Sequence, residues 1–399
     1  MAFLLKETNQ MLIPKLKSIL LFYFCFCFID VNGQEFVVVE KNYINGLIKE
    51  KYLGIIVGND TLKRGKYSFY FESGRIMQEG FYKDNKLDSI WITYFPSGGR
   101  KSLFHYKLGV KVGEFIFWNS DATIYQTGTY KSDKLDGLLT TYFANGLIDS
   151  ESNYKKGFLN GISKVFNSEG KPKLIAEYEN DTLNGLWQSY YDTGELNYRG
   201  KKKNGKYQDT LYTYYKNGQL QRKTFYNNGL SEGVVIGYYP SGKKMIETSY
   251  IAGRIEGQSV EFHENGVVAE EGFYQNSSKN GLWRSYYPNG VMHSKGAFKN
   301  GLFEDMWLIY NPNGSLKQKG SYRDGKSEGT WCFFNKTGNL LLTGDYLENY
   351  HQGIWTTFYP NGGVAGRINY VNGISVGPVW TYDEKGVVYR KLKLEIEKQ

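Results

Sequence analysis

The chain is poor in the residues that catalysis and cross-linking use. Its 399 residues include only 3 cysteines and 4 histidines. Cys25 and Cys27 fall inside an apolar N-terminal run, which leaves Cys332 alone in the remainder. One thiol cannot close an intramolecular disulfide, so packing and backbone pairing must hold the fold. His105, His263, His293 and His351 are scattered and show no metal-ligand spacing, so no metal site is expected. Proline is also scarce, at 8 residues against 47 glycines. The glycine-rich stretches open no helix, which excludes a phosphate loop built on a helix N-terminus. The formal charge of +9 is the small difference between 49 basic and 40 acidic residues and forms no clustered stripe. Nucleic acid is therefore not an expected partner, and weak contact with anionic lipid is the most this charge supports. Acidic residues do recur at Asp88, Asp136, Glu232, Glu256, Glu304 and Glu328, but next to turns, which reads as solvated loops and not as carboxylates facing across a cleft. The chain is expected to be a non-enzyme with no cofactor.

Long apolar runs are nearly absent as well. The exception is Ile19 to Ile29, preceded by Lys15 and Lys17 and followed by Val31-Asn32-Gly33. A basic start, a short apolar core and compact residues before a cleavage point describe an export signal, and the run is too short to span ~30 Å of hydrocarbon. Residues 11–33 are read as a signal peptide cleaved after Gly33, with 1–10 an upstream extension if Met11 is the true start. The mature protein is then exported, to the periplasm, the outer envelope or the medium, and carries no transmembrane helix.

What the chain has in abundance is a single repeated phrase. Gly281-Leu-Trp-Arg-Ser-Tyr-Tyr-Pro-Asn-Gly290 returns every 24 residues in fourteen copies, from Gly65 to Gly377, without insertion or deletion. Such a period indicates stacked supersecondary units, not independent globular domains. Residues 65–388 are the array, 34–64 an N-terminal cap and 389–399 a C-terminal capping strand, in which alternating charges discourage edge pairing.

Numbering each copy from its leading residue as position 0, glycine stands at position 9 in every copy except at Ala122, often after asparagine. Asn-Gly suits a tight hairpin turn. Position 20, glycine, asparagine or aspartate, supplies a second turn. Segments rich in Tyr, Phe, Trp, Val and Ile separate the turns, so each unit is expected to be one β-hairpin and the whole an antiparallel meander.

Aromatic residues hold fixed places in the unit. Position 5 is aromatic throughout, as in Tyr70, Tyr94, Trp118, Tyr142, Tyr190, Tyr214, Tyr238, Tyr286, Tyr310 and Phe358. Position 17 is Tyr or Phe with Lys202 as the departure, and position 2 carries Trp91, Trp187, Trp283, Trp307, Trp331 and Trp355. Stacked hairpins would align each with its copy, forming aromatic ladders. With a two-residue Asn-Gly loop, position 2 pairs with position 15, often glycine, and a Trp ring is expected to lie over bare backbone there.

The unit Gly-x-Trp-x-x-Tyr-Tyr-x-Asn-Gly followed by Gly-x-Tyr-x-x-Gly resembles the MORN repeat, and in particular its bacterial tandem variant, from Gly65 to about Val387. The resemblance implies an elongated, twisted, single-layer sheet that serves as a scaffold for protein or lipid-surface contacts. From the residues alone, two functions compete. One is an interaction scaffold toward an unknown protein or envelope-surface partner. The other is a glycan- or choline-binding module that uses aromatics of adjacent hairpins.

Overall fold

Two strand-forming segments per unit, with no helix-forming stretch between them, leave the chain little choice but to pair each segment with the next. The computed structural model describes residues 36–393, which form one sheet of 33 strand segments. Leu302–Tyr310 pairs with Leu316–Arg323, that strand pairs with Lys326–Phe334, and the antiparallel pattern continues along the chain. Three short segments, such as Val110–Lys111 before Gly113–Trp118, continue into the next one, so 33 − 3 gives thirty strands. The architecture is the expected all-β, single-layer meander. Among the described residues no helix is long and apolar enough to cross a membrane. The proposed signal segment 11–33 and extension 1–10 lie outside the described residues. Of the capping strand expected at 389–399, Val388–Lys393 pairs with Ile374–Tyr382 and the remainder lies outside. The N-terminal cap is itself a hairpin, Phe36–Asn42 against Ile48–Val57.

The two turns exchange the roles expected of them. The position-9 turn is a three-residue loop: Gly290 N–H donates to Tyr287 O, and Tyr287 N–H donates to Val291 O. Only the glycine enters the left-handed region there, with φ 83° at Gly290. Asn289 is favoured for its side chain instead. Its Oδ1 accepts from Val291 N–H at 3.1 Å, and its Nδ2 donates 3.0 Å to the Pro312 carbonyl of the next hairpin. The extra loop residue is absorbed by a register shift between Ser285 and Tyr286, so position 2 still pairs with position 15, Trp283 with Gly296. The tight two-residue loop is the other turn, where Lys299 pairs with Leu302 around Asn300 (φ 51°) and Gly301 (φ 83°). Both central residues at positive φ define the turn that follows the natural strand twist.

Ala122 holds the position-9 conformation at φ 68° without being glycine. A Cβ in the left-handed region costs about 1–2 kcal/mol. Ala122→Gly should therefore stabilise the protein by about 1 kcal/mol, read as an upward shift in its thermal or denaturant midpoint.

The leading residue is a bulge residue, which the sequence pattern did not indicate. All fourteen have positive φ, including Ser89 (58°), Asp209 (62°) and Asp305 (57°). On the side facing the preceding hairpin, Glu271 pairs with Arg284 and Phe273 with Asn280, so Gly281, Leu282 and Trp283 all stand against the single residue Gly272. This slip recurs between successive hairpins and re-aims position 2 toward the preceding unit.

Candidate interaction faces

The bulge decides where the tryptophans go. A Cβ built on Gly272 would lie 2.2 Å from Trp283 Cδ2, and one on Gly320 would lie 2.0 Å from Trp331 Cδ2. Each indole therefore covers position 15 of the preceding repeat, and not the glycine of its own hairpin as the pairing alone suggested. Gly80–Trp91, Gly296–Trp307 and Gly344–Trp355 repeat the arrangement. The indole N–H completes it by donating to the position-16 carbonyl of that preceding hairpin, for example Trp283 to Phe273 O at 3.1 Å and Trp307 to Ala297 O at 3.0 Å. The Trp331 N–H is buried without a partner.

Position 17 fills the gaps between indoles. Tyr274, Trp283, Phe298, Trp307, Tyr322, Trp331, Tyr346, Trp355 and Tyr370 form a continuous edge-to-face zipper, with centroids 5.0 to 6.5 Å apart and planes 77° to 90° apart. That geometry suits the ring quadrupoles. Position 22 adds cations over the zipper: Lys279 Nζ lies 3.9 Å from the Trp283 centroid, and Lys111 lies 4.7 Å from Phe104. Trp91, Trp283, Trp307, Trp331 and Trp355 are all buried, and Trp187 is half-buried. In place of a second layer, this column is the core.

Position 5 lies an odd number of residues away and so faces the opposite side of the pleat. Tyr70, Tyr94, Trp118, Tyr142, Tyr190, Tyr214, Tyr238, Tyr286, Tyr310 and Phe358 are all half-buried. They do not form a stacked ladder; the close ring contacts belong to the zipper face. Two of the tyrosines instead reach the position-14 carboxylate of the preceding repeat, Tyr94 Oη to Glu79 at 2.6 Å and Tyr286 Oη to Glu271 at 3.0 Å. Burial, reinforced by the Glu79 hydrogen bond, pushes the Tyr94 phenol up to about 12. The same causes raise Tyr286.

On this second face, shallow grooves run between consecutive repeats. One of 470 Å³ is lined by Leu186, Arg199, Lys201, Thr210, Tyr212 and Tyr214. Another of 450 Å³ is lined by Ile354, Arg367, Pro378, Trp380 and Tyr382, which hold equivalent positions. Around them positions 1 and 16 expose apolar side chains, including Val234, Phe273, Leu282, Met306 and Ile354.

Two further ladders clip hairpin to hairpin. The position-6 tyrosine donates to the position-5 carbonyl of the next repeat, as in Tyr191 to Tyr214 O at 2.7 Å and Tyr287 to Tyr310 O at 2.9 Å. His263 occupies a tyrosine place here, with Nε2 2.8 Å from Tyr286 O. The position-23 carboxylates, read from sequence as solvated turn residues, accept from backbone N–H groups at position 19 of the following turn. Glu256 with Asn276 at 2.7 Å and Glu304 with Asp324 at 2.9 Å are examples. Neither role is visible in one copy alone, but the |i−j| of 23 and 20 is constant along the array.

The N-terminal cap closes the zipper with a charge cluster. Lys63 Nζ lies 4.8, 4.6 and 5.2 Å from the Tyr52, Tyr67 and Tyr82 centroids and 2.5 Å from Glu50 Oε1, while Lys41 reaches Glu50 Oε2 at 3.0 Å. Burial raises the Glu50 carboxyl, but hydrogen bonds and charge from Lys63 and Lys41 outweigh it and the net shift is downward. A carboxyl lowered in the folded state contributes stability that is present above its unfolded value of about 4.3 and lost as pH falls through the folded value. The hydrogen-exchange protection factors of the Ile48–Val57 strand should hold steady down to about that pH and then fall. Glu50→Gln should remove that acid-dependent step.

Among the described residues no group of three or more His, Cys, Asp or Glu side chains is placed to hold a metal. Comparison with known proteins is dominated by the repeats. No curated protein matches. Solved structures match at low similarity. "Crystal Structure of TcdB2-TccC3" shares 11% identity over 86% of this chain and 23% of that one, with a TM-score of 0.16. "Structure of Photorhabdus luminescens Tc holotoxin pore" shares 12% identity over 86% and 23%, with a TM-score of 0.15. The chain thus spans about a quarter of their length. The "MORN repeat variant" family profile matches residues 63–84, 135–156, 183–201, 210–228, 231–252, 255–276, 279–300, 306–324 and 352–372, at the same 24-residue phase as the hairpins. Nine units of the array are therefore MORN repeats of the variant type.

Proposed function

We propose that this protein is a non-catalytic, exported scaffold whose groove-bearing face contacts a protein or an envelope surface. The observation that carries the reading is the division of labour between the faces. Trp91, Trp283, Trp307 and Trp355 are buried against glycine backbone with indole N–H groups bonded to carbonyls, whereas the opposite face leaves apolar residues such as Val234, Phe273 and Ile354 in solvent. Exposed apolar residues in register along a long surface favour a contact role. The same burial weighs against the glycan- or choline-binding alternative, because an indole already covered on one side and edge-packed on the other has no free face to offer. Export is supported by the sequence pattern of residues 11–33 alone. Cell fractionation with N-terminal sequencing tests it: the mature protein should begin at Gln34 outside the cytoplasm, and an uncleaved cytoplasmic chain would overturn the export reading. Retention on choline resin or a glycan array, lost in Tyr214→Ala, would replace the scaffold reading with the alternative.

A further inference from the structure

The groove-bearing face carries a charge order that is complementary to itself. Positions 3 and 14 form one row across the strands, because Arg284 pairs with Lys295 inside a hairpin and Glu271 with Arg284 between hairpins. Outward from the strand Gly233–Tyr238, the position-14 residues on the two sides are Lys223 and Glu247, then Arg199 and Glu271, then Ile175 and Lys295, then Glu151 and Lys319. Each step that carries two charges carries opposite ones. We infer that this face docks on a second copy of the same chain, through a two-fold axis that lies between the two sheets, parallel to the strands and over Gly233–Tyr238. Such an axis reverses the array and brings each residue of these pairs onto its partner in the other copy, the self-complementary arrangement of an isologous interface.

The apolar residues agree with that axis. Val234, 52% exposed, meets its own copy, and Leu186 meets Leu282, 46% exposed. Phe273, 57% exposed, meets Lys201, a cation over an aromatic face. The other charged residue of the row near the axis, Arg284, meets Gln188. The register is also unique among its neighbours. Moving the axis by one strand in one direction, which slides the copy by one repeat, sets Lys223 against Lys223. Moving it in the other sets Glu247 against Glu247 and Arg199 against Lys295. Like charges brought together are costly, so the alternatives are disfavoured as well as the chosen register favoured. Face-to-face packing of two twisted sheets keeps strands within about 30° of each other, which concentrates contact near the axis.

This inference names the occupant of the face and rests on reading that face as a contact surface. Analytical ultracentrifugation of the purified protein, with no other component, tests it. The wild type should sediment as a dimer. Val234→Glu places two carboxylates at the axis and should give a monomer with unchanged strand content by circular dichroism, since Val234 is half in solvent in the single chain. Arg199→Glu should weaken the dimer at least about ten-fold, and Arg199→Glu with Glu271→Arg should recover it, because the pair is only exchanged. Glu271 also bonds Tyr286 within its own chain. The swap Lys223→Glu with Glu247→Lys is therefore run in parallel and should likewise stay dimeric. A monomeric wild type, a dimeric Val234→Glu, or swaps no better than the single variants would overturn the second-copy assignment. A monomer that binds a different envelope component through Val234 and Phe273 would overturn it too, while leaving the scaffold reading standing.

Discussion

Trp307→Ala should cost about 3–5 kcal/mol, several times the cost of Tyr310→Ala three residues away. Both are aromatic positions of the same strand, and their burial separates them. Trp307 is 7% exposed, lies on the bare backbone of Gly296, and touches Phe298, Phe303 and Tyr322 with its ring. Its removal leaves a void in the packed aromatic column of a one-layer sheet, and the surrounding backbone is held by ladder bonds that limit collapse into it. Tyr310 is half-buried on the opposite face, so truncation there forfeits roughly half the area, about 1–2 kcal/mol. Denaturant titrations of the two variants give the comparison. Equal midpoints would mean that the two faces share the core. Because stability in stacked repeats is nearly a sum of unit and nearest-neighbour terms, Trp307→Ala should also broaden the transition by uncoupling the repeats on either side.

The second large effect concerns a glycine. Gly320→Thr should cost more than about 3 kcal/mol, because a branched side chain must occupy space where even a Cβ meets the Trp331 ring at 2.0 Å. The same array contains the remedy. Thr248 stands at position 15 ahead of Ser259 at position 2, and their hydroxyls bond at 2.9 Å in a buried pair. Ser152 and Ser163 do likewise at 2.8 Å. Gly320→Thr combined with Trp331→Ser rebuilds that pair, so the double variant should be more stable than the sum of the single losses predicts, by about 1–3 kcal/mol in a double-mutant cycle. Additive losses would mean that position 15 does not contact position 2 of the next repeat.

That coupling was legible in the sequence, at a different offset. The glycines at 80, 272, 296, 320 and 344 each precede a tryptophan by eleven residues, at 91, 283, 307, 331 and 355, and both serines at position 2 follow a Ser or Thr by the same interval. The offset within one repeat is slightly less regular: the position-15 residues of the Trp91 and Trp355 repeats are Phe104 and Ile368, while only Ala176 ahead of Trp187 breaks the eleven-residue pattern. Hairpin pairing directed attention to the wrong neighbour, and the leading-glycine bulge that redirects the ring has no composition signal of its own. The meander, the two turn positions and the unit length follow from glycine and aromatic spacing. The assignment of faces did not, because the near-invariance of position 5 suggested the core, whereas burial falls on the more variable position 2. Position 2 varies because each occupant has only to fit its partner at position 15, as Trp with Gly or Ser with Thr. The inter-repeat bonds of Asn289, Tyr287 and Glu304 were hidden for another reason: each reaches a backbone group, which leaves no trace in the identity of the partner residue.

All of this depends on the chain being a single extended sheet in which each repeat touches only its neighbours. Small-angle X-ray scattering tests that directly. Thirty strands at about 4.8 Å extend ~140 Å before twist shortens them, and a rod of that length has a radius of gyration near 40 Å. A longest dimension above about 100 Å, with the radius of gyration well above 30 Å, is the predicted result, and antiparallel pairing of two copies would thicken the rod without lengthening it much. A radius of gyration close to 21 Å, the value for a compact chain of this size, would contradict it.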